Sequence, residues 1–265
     1  MKPVISTPVS VGPTMNTLKK ILARLLLLIL SFPALAEDTE STSSGEWEKY
    51  FEVYGWLPNI YITSSSGSHT TLTISDLIRN LDMLGFIDMG AKKNKWSVAT
   101  DSIYMNLGKK ITREGAVLPG DINVKLDMRS FINTTNVGYQ IGGDDTSPIS
   151  LIGGVRYLYL RTSAEFDKDN LGDRRIIASG HNWSGIFGFE GKKTLNDKWY
   201  LDYYADIGAG GQTDLTWQAK IGGGYHFKKF VGTFGFRYLR WNLDGSGSLE
   251  NMRVIGPYAG ARWTW

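Results

Sequence analysis

Polar and apolar side chains alternate along residues 252–265. One set of alternate positions holds Ile255, Pro257, Ala259, Ala261, Trp263 and Trp265, and the other holds glycine and polar residues. Because successive side chains of a strand point to opposite faces, the pattern predicts a β-strand with one apolar face. Its apolar face ends on Trp263 and Trp265, and aromatic ends of this kind are typical of barrel strands that reach a membrane interface.

The same alternation runs through the chain and predicts ten strands. They lie near residues 48–62, 83–92, 95–107, 121–142, 149–166, 176–194, 198–210, 213–227, 230–243 and 252–265. The connections after strands two, four, six and eight are short, and those after one, three, five and nine are long; the connection after strand seven is short and breaks the rule. Outer-membrane barrels have an even strand count, short periplasmic turns and longer external loops. The sequence therefore predicts an all-β, antiparallel transmembrane barrel of about ten strands, with eight or twelve strands as alternatives.

Residues 75–82 are the one helix-like stretch after the leader. Ser75 is a candidate N-cap, and Leu77, Ile78 and Leu81 share a face. An extra spanning strand at residues 69–74 would make the strand count odd. Residues 63–82 are therefore predicted to form an excursion that holds the helix, which either plugs the lumen or caps the external mouth.

The first 36 residues have the features of a secretory signal peptide. Basic residues precede an apolar run at residues 25–30, and Ala34 and Ala36 form a small-x-small cleavage site. We therefore predict cleavage after Ala36, a disordered lead-in at residues 37–46, and a barrel from 47 to 265. Met1 and Met15 are both possible starts.

The positive net charge of the chain belongs to this leader. The leader holds four basic residues and no acidic one, so the remainder has 29 − 4 = 25 basic and 26 acidic residues. We infer no nucleic-acid partner from such a balance. The chain has no cysteine, which excludes disulfides, thiolate metal sites and a cysteine nucleophile. No metal or other cofactor is expected.

Ionisable residues fall on one face of most predicted strands, and apolar residues fall on the other. In a soluble sandwich the charged face would be outside, whereas in a membrane barrel it lines the lumen. The signal peptide, the aromatic content and the terminal tryptophans favour the membrane barrel. The predicted lumen charges are Glu52, Asp101, Lys125, Asp127, Arg129, Arg156, Glu190, Asp202, Asp206, Lys220, Arg237 and Arg262. Opposite charges in a narrow lumen are expected to pair, and Arg262 is a candidate partner for Glu52.

Several short motifs together resemble a widespread family of uncharacterised Gram-negative outer-membrane β-barrel proteins. They are residues 54–58, 75–82, Trp96 with Asp101 and Tyr104, and residues 154–157, 206–210, 234–239 and 256–260. The resemblance covers about residues 47–265 and implies a barrel but no activity. Glu190 stands where a basic residue is expected. Tyr258, Gly260, Trp263 and Trp265 also resemble the C-terminal assembly signal of bacterial outer-membrane barrels.

Two functional hypotheses follow. The first is a non-enzymatic outer-membrane barrel, either structural or a pore for small solutes, whose lumen is lined by paired charges. The alternative is an outer-leaflet enzyme, a lipid or peptide hydrolase, that uses His69 or His181 at the external rim as its base. The expected partners are outer-membrane lipid, the barrel-assembly machinery and periplasmic chaperones.

Overall fold

A computed structural model describes residues 46–65, 67, 69–75, 81–113, 122–168, 174–211, 213–243 and 249–265. The predicted signal peptide and all of the predicted lead-in except Glu46 lie outside these residues. Within them, no helix is long and apolar enough to cross a membrane. The described part of the chain forms twelve strands, with the bounds β1 Glu48–Trp56, β2 Asn59–Ser64, β3 His69–Leu72, β4 Leu81–Lys93, β5 Trp96–Arg113, β6 Ile122–Gly142, β7 Ile149–Lys168, β8 Arg174–Thr194, β9 Trp199–Gly210, β10 Thr213–His226, β11 Val231–Leu243 and β12 Leu249–Thr264.

Ten of these strands close into an antiparallel barrel. β1 pairs with β4, each later strand pairs with the next, and β12 pairs back with β1. The predicted fold class and strand count are therefore confirmed, and the closing pair is the one between the first and last strands. Residues 94–95, 143–148, 195–198 and 227–230 connect strands at one end, which we call the turn end; the opposite end is the loop end.

The turns at the turn end are stabilised by local geometry. Asn94 has a φ of 54° between β4 and β5, a conformation that asparagine tolerates better than most residues. Between β6 and β7, the Asp144 carboxylate accepts hydrogen bonds from the Thr146 hydroxyl and from the backbone N–H groups of Thr146 and Ser147. These hydrogen bonds, first that of the Thr146 hydroxyl, hold the pKa of Asp144 below its usual range.

The first predicted strand is divided in two by Pro58. β1 and β2 both pair with β12, but the chain leaves regular strand geometry at Leu57 and Pro58, because proline lacks a backbone donor. β3 pairs with β2 as a short hairpin and does not cross the barrel. The excursion predicted at residues 63–82 thus begins with this hairpin.

The helix predicted at residues 75–82 needs correction at its end. Ile74 and Ser75 are helical, residues 76–80 lie outside the described residues, and Leu81 and Asp82 already belong to β4. Their backbone is held by the β4–β5 ladder, in which Leu81 is opposite Leu107. A strand partner therefore overrides the helical pattern at these two positions.

The outer face at the turn end and mid-height of the barrel is a belt of exposed apolar side chains. Trp96 and Tyr139 are in contact across β5 and β6, with ring centroids 4.9 Å apart, and Phe230 lies 6.4 Å from Trp263 on the closing side. Phe187, Ile207, Ile221 and Phe236 are each more than half exposed on this face. Large apolar side chains are exposed in this way where lipid, not water, surrounds a barrel.

Toward the loop end the distribution of side chains is inverted. β5 to β8 are 18 to 21 residues long, whereas a bilayer crossing needs about 9–11. On β6, Met128 is buried inside and the neighbouring Arg129 is exposed outside. Asp127 shares the outward alternation of Arg129, so the prediction that these two residues face the lumen is wrong. Beyond the bilayer the surroundings are aqueous, and apolar residues therefore turn inward.

Candidate functional site

Three acidic residues stand side by side on the inner wall. Glu52 of β1 is opposite Asp88 of β4 in the strand register, and Asp88 is opposite Asp101 of β5. Lys220, Arg237 and Arg262 project into the lumen from β10, β11 and β12, and each lies within 4 Å of one of these carboxylates. We call these six residues the cross-lumen network.

The first pair of this network is Glu52 with Arg262, the pair that the sequence suggested. Nη2 of Arg262 lies 2.6 Å from Oε2 of Glu52, and Nε donates to the same oxygen at 2.8 Å. The Thr233 hydroxyl donates to the other carboxylate oxygen at 2.6 Å. Glu52 is only 3 % exposed, so the charge is both buried and fully engaged. This pair joins the strands that close the barrel.

The second pair is Asp101 with Arg237. Nη1 of Arg237 lies 2.6 Å from Oδ2 of Asp101, and the Tyr54 hydroxyl donates to Oδ1 of the same aspartate. Arg237 also donates to the Tyr54 hydroxyl at 2.9 Å and to the Gln218 amide oxygen at 2.7 Å. Its guanidinium carbon lies 5.0 Å from the ring centroid of Trp56, within cation–π distance. Arg237 thus links β11 with β1, β5 and β10.

The third pair is Asp88 with Lys220, and sequence reasoning missed Asp88. The ammonium lies 3.9 Å from Oδ2 of Asp88, while the Tyr50 hydroxyl donates to Oδ1 at 2.9 Å. Asp88 sits in an apolar stretch, Gly85 to Met89, where a single carboxylate is conspicuous. Asp88 lies two residues after Phe86, whose side chain faces the interior, so strand alternation places the Asp88 carboxylate inside as well. This alternation is the feature of the sequence that could have identified Asp88.

A fourth ion pair lies apart from the cross-lumen network. Arg156 of β7 and Asp206 of β9 form an ion pair and a hydrogen bond, and both side chains are fully buried. The same guanidinium donates to the hydroxyls of Thr134 at 3.1 Å and Thr216 at 3.0 Å. The predicted lumen charges Arg156 and Asp206 are thus brought together with hydroxyl groups from β6 and β10.

The remaining predicted lumen charges have other positions. Glu190 of β8 accepts a hydrogen bond from the hydroxyl of Ser97 on β5 at 3.3 Å, inside the lumen. Asp202 borders a small cavity that Lys220, Arg262 and Tyr258 also line. The free space there is on the order of one water molecule. The backbone of Lys125 lies in β6 opposite Glu165, and its side chain is outside what the structure describes.

An apolar layer fills the lumen between the cross-lumen network and the loop end. Trp56 and Trp241 are its largest members, each 1 % exposed. The layer also contains Ile60, Phe86, Ile103, Met105, Leu107, Met128, Ile132, Leu158, Leu239, Met252 and Val254. On β8, β9 and β10 the inward positions hold buried polar side chains, among them Ser184, Asp206 and Thr216. The ten barrel strands therefore all contribute buried side chains to the interior.

Glycines make room for the large side chains of the lumen. A Cβ at Gly222 would lie 2.3 Å from the Tyr258 hydroxyl and 2.5 Å from the carbonyl oxygen of Phe234. A Cβ at Gly224 would lie 2.3 Å from the ring of Tyr200. The glycine run at residues 222–224 thus permits close packing inside the barrel.

The residues of the C-terminal pattern divide between the two faces of β12. Tyr258 and Gly260 face the lumen, and the Tyr258 ring lies 6.2 Å from that of Tyr54. Trp263 and Trp265 face outward, with Trp265 58 % exposed at the turn end. The backbones of Trp265 and Lys49 exchange two hydrogen bonds, which complete the β1–β12 ladder.

The fold has counterparts among solved structures, although neither models of known protein families nor curated proteins match the sequence. The outer membrane protease OmpT from Escherichia coli aligns over 86 % of this chain and 99 % of its own, with a TM-score of 0.52 and 10 % identity. The translocator domain of the autotransporter NalP from Neisseria meningitidis covers 92 % of this chain and 97 % of its own, with a TM-score of 0.45 and 13 % identity. At such identities the likeness to OmpT shows the barrel fold alone.

Proposed function

We propose that this chain is a non-enzymatic outer-membrane barrel of structural type, whose lumen is closed to solutes. The observation that carries the proposal is the filled interior, in which paired charges occupy one part and the apolar layer occupies the next. A pore needs a continuous polar path between its two mouths. The burial of Trp56, Trp241 and their neighbours supports a lumen without such a path.

The cross-lumen network supports this reading because its charges match one to one. Three carboxylates face three cations; Arg262 is engaged by Glu52 of the neighbouring strand, and Lys220 and Arg237 are engaged by carboxylates of strands across the lumen. In a conducting pore, a charged side chain of the lumen would have to release its ion-pair partner in order to bind the passing ion. Here Glu52, Asp101 and Arg237 are nearly buried and carry further hydrogen bonds, so exchange would be costly.

The proposal includes a location and an orientation. The apolar belt, the aromatic rows and the predicted signal peptide support insertion in the outer membrane after cleavage near Ala36. The turn end, with its short connections and both ends of the barrel domain, would face the periplasm. The outward-facing Trp263 and Trp265 would serve the assembly machinery and periplasmic chaperones, together with Tyr258 and Gly260.

The alternative, an outer-leaflet hydrolase, has little support among the described residues. Nδ1 of His69 lies 3.1 Å from the Thr63 hydroxyl, and neither His69 nor His181 has a described hydrogen bond to serine, aspartate or glutamate. A histidine base needs a partner that orients it and a nucleophile or water within reach. The fold shared with a protease does not supply these groups.

A permeation assay tests the proposed function. Vesicles containing the purified barrel are placed in solutions of small sugars, amino acids and salts, and swelling is followed by light scattering. A closed lumen predicts swelling rates equal to those of protein-free vesicles for every solute. Swelling that depends on the amount of barrel and on solute size would refute the proposal in favour of a small-solute pore.

A further inference from the structure

Two pairs of arginines stand directly opposite each other on the outer face of the barrel. Arg129 of β6 is opposite Arg161 of β7, and Arg240 of β11 is opposite Arg253 of β12. Like charges directly opposite each other on a sheet are destabilising when nothing lies between them. Among the described residues, no carboxylate forms an ion pair with any of the four.

The four arginines lie at the same depth relative to the turn end. Each arginine is ten residues along the chain from an outward-facing residue near the turn end. These residues are, in the order of the four arginines, Tyr139, Leu151, Phe230 and Trp263. Ten residues rise about 33 Å along a strand, which is about 25 Å across a bilayer at the usual tilt of about 40°. Since the apolar band of such barrels is about 25 Å tall, all four arginines lie at its loop-end boundary.

The surroundings of each pair suit a lipid headgroup. Directly below the first pair, toward the belt, lies the row of Phe131 and Tyr159; below the second lies that of Tyr238 and Ile255. Acyl chains can lie against these apolar surfaces while the headgroup meets the guanidinium groups above them.

Two of the arginines are held in place by neighbours that leave their charge uncompensated. Arg253 lies over the ring of Tyr61, with 4.2 Å between the guanidinium carbon and the ring centroid. Arg240 donates to the Asn242 side-chain oxygen at 2.8 Å. Each pair thus presents two like charges at the membrane boundary, and none of the ion pairs found among the described side chains includes these four arginines.

We infer that Arg129 with Arg161 and Arg240 with Arg253 form two binding sites for the phosphate-bearing headgroups of outer-leaflet lipid. The inference rests on the orientation proposed above, with the loop end outside. Two guanidinium groups at one depth can bind a phosphate between them through charge-assisted hydrogen bonds. The bound phosphate also removes the repulsion within each pair. The barrel would then hold two anionic lipids at separate places on its circumference.

Native mass spectrometry of the full barrel in neutral detergent tests the inference. The probe is lipid A, a diglucosamine lipid with two phosphates, titrated with and without inorganic phosphate. We expect two tightly held lipids on the unchanged protein, and one on either R129Q/R161Q or R240Q/R253Q, with the lost site weakened about tenfold or more. The matched control is K228Q/K229Q, which removes two exposed positive charges at the turn end and should retain both lipids.

Three results would overturn the inference. Unchanged lipid binding in both arginine variants would show that the pairs hold no lipid. Equal loss in K228Q/K229Q would show nonspecific attraction to positive charge. Displacement of lipid A by equimolar inorganic phosphate would show a free-anion site instead of a headgroup site.

The orientation is tested separately, so its failure can be distinguished from failure of the site. The chain has no cysteine, so His69→Cys introduces a single exposed thiol at the loop end. A membrane-impermeant maleimide should label this thiol on intact cells if the loop end is outside. Absence of labelling would refute the orientation, whereas the detergent experiment would still report on the two arginine pairs.

Discussion

At the residue scale, Arg237 is the group on which the cross-lumen network depends most. It contacts Asp101, Tyr54, Gln218 and Trp56, and it is 2 % exposed. Removing one partner of a buried ion pair leaves an uncompensated charge, at a cost of about 3–5 kcal/mol. We expect Arg237→Leu to lower the free energy of unfolding by about that amount, measured by urea titration in vesicles.

The double variant R237L/D101N distinguishes the ion pair from simple packing. Because it removes both charges, it should recover much of the stability that Arg237→Leu loses. Lys229→Ala, at an exposed turn position, is the control and should change stability by less than about 0.5 kcal/mol. An Arg237→Leu loss no larger than that of Lys229→Ala would show that the buried pair is not stabilising.

Glycine positions give a second test at this scale. Gly222→Ala would place a methyl group against the Tyr258 hydroxyl and the carbonyl oxygen of Phe234, whereas Gly153→Ala meets nothing within 4 Å. Overpacking typically costs about 1–3 kcal/mol, so only the first substitution should destabilise the barrel by that amount. The two unfolding curves are compared in the same vesicles. Equal effects would contradict the packing of Tyr258 described above.

At the scale of elements, β12 has two roles that can be separated. Its backbone closes the barrel on β1, and its terminal aromatic residues face outward. Trp265 is exposed, so Trp265→Ala should barely change unfolding of barrels refolded in detergent. We expect the same variant to lower the fraction assembled in cells, measured by heat-modifiable mobility on gels. Trp47→Ala, exposed at the same end, is the control; equal assembly of both variants would contradict an assembly role for Trp265.

Sequence alternation predicts most of these strands because successive side chains point to opposite faces, so the apolar positions of a strand all lie on one face. It fails where the environment changes along a strand. Asp127 and Arg129 were predicted to face the lumen, yet β6 has left the bilayer there and its apolar side chain Met128 turns inward. Pro58, which divides the first strand, and Asp88, which completes the acidic row, were visible in the sequence. Their consequences depend on pairings with β12 and β10, which are far away along the chain.

The candidate site was predictable in part for the same reason. Alternation alone identifies Glu52, Asp101, Arg237 and Arg262 as residues of one face, and the closing register brings Glu52 to Arg262. Which cation meets which carboxylate across the lumen depends on barrel diameter and shear, and neither is encoded locally. The filling of the lumen by Trp56 and Trp241 depends on those quantities too.

At the scale of the whole molecule, the central claim is that the lumen is closed. Single-channel recording in planar bilayers tests it most directly, with the unchanged barrel compared with W56A/W241A, which empties the centre of the apolar layer. A closed lumen predicts no steady conductance for the unchanged barrel and ion-conducting openings for the double variant, with both migrating as folded barrels on gels. Steady conductance of the unchanged barrel would show that the lumen is open and would refute the central claim.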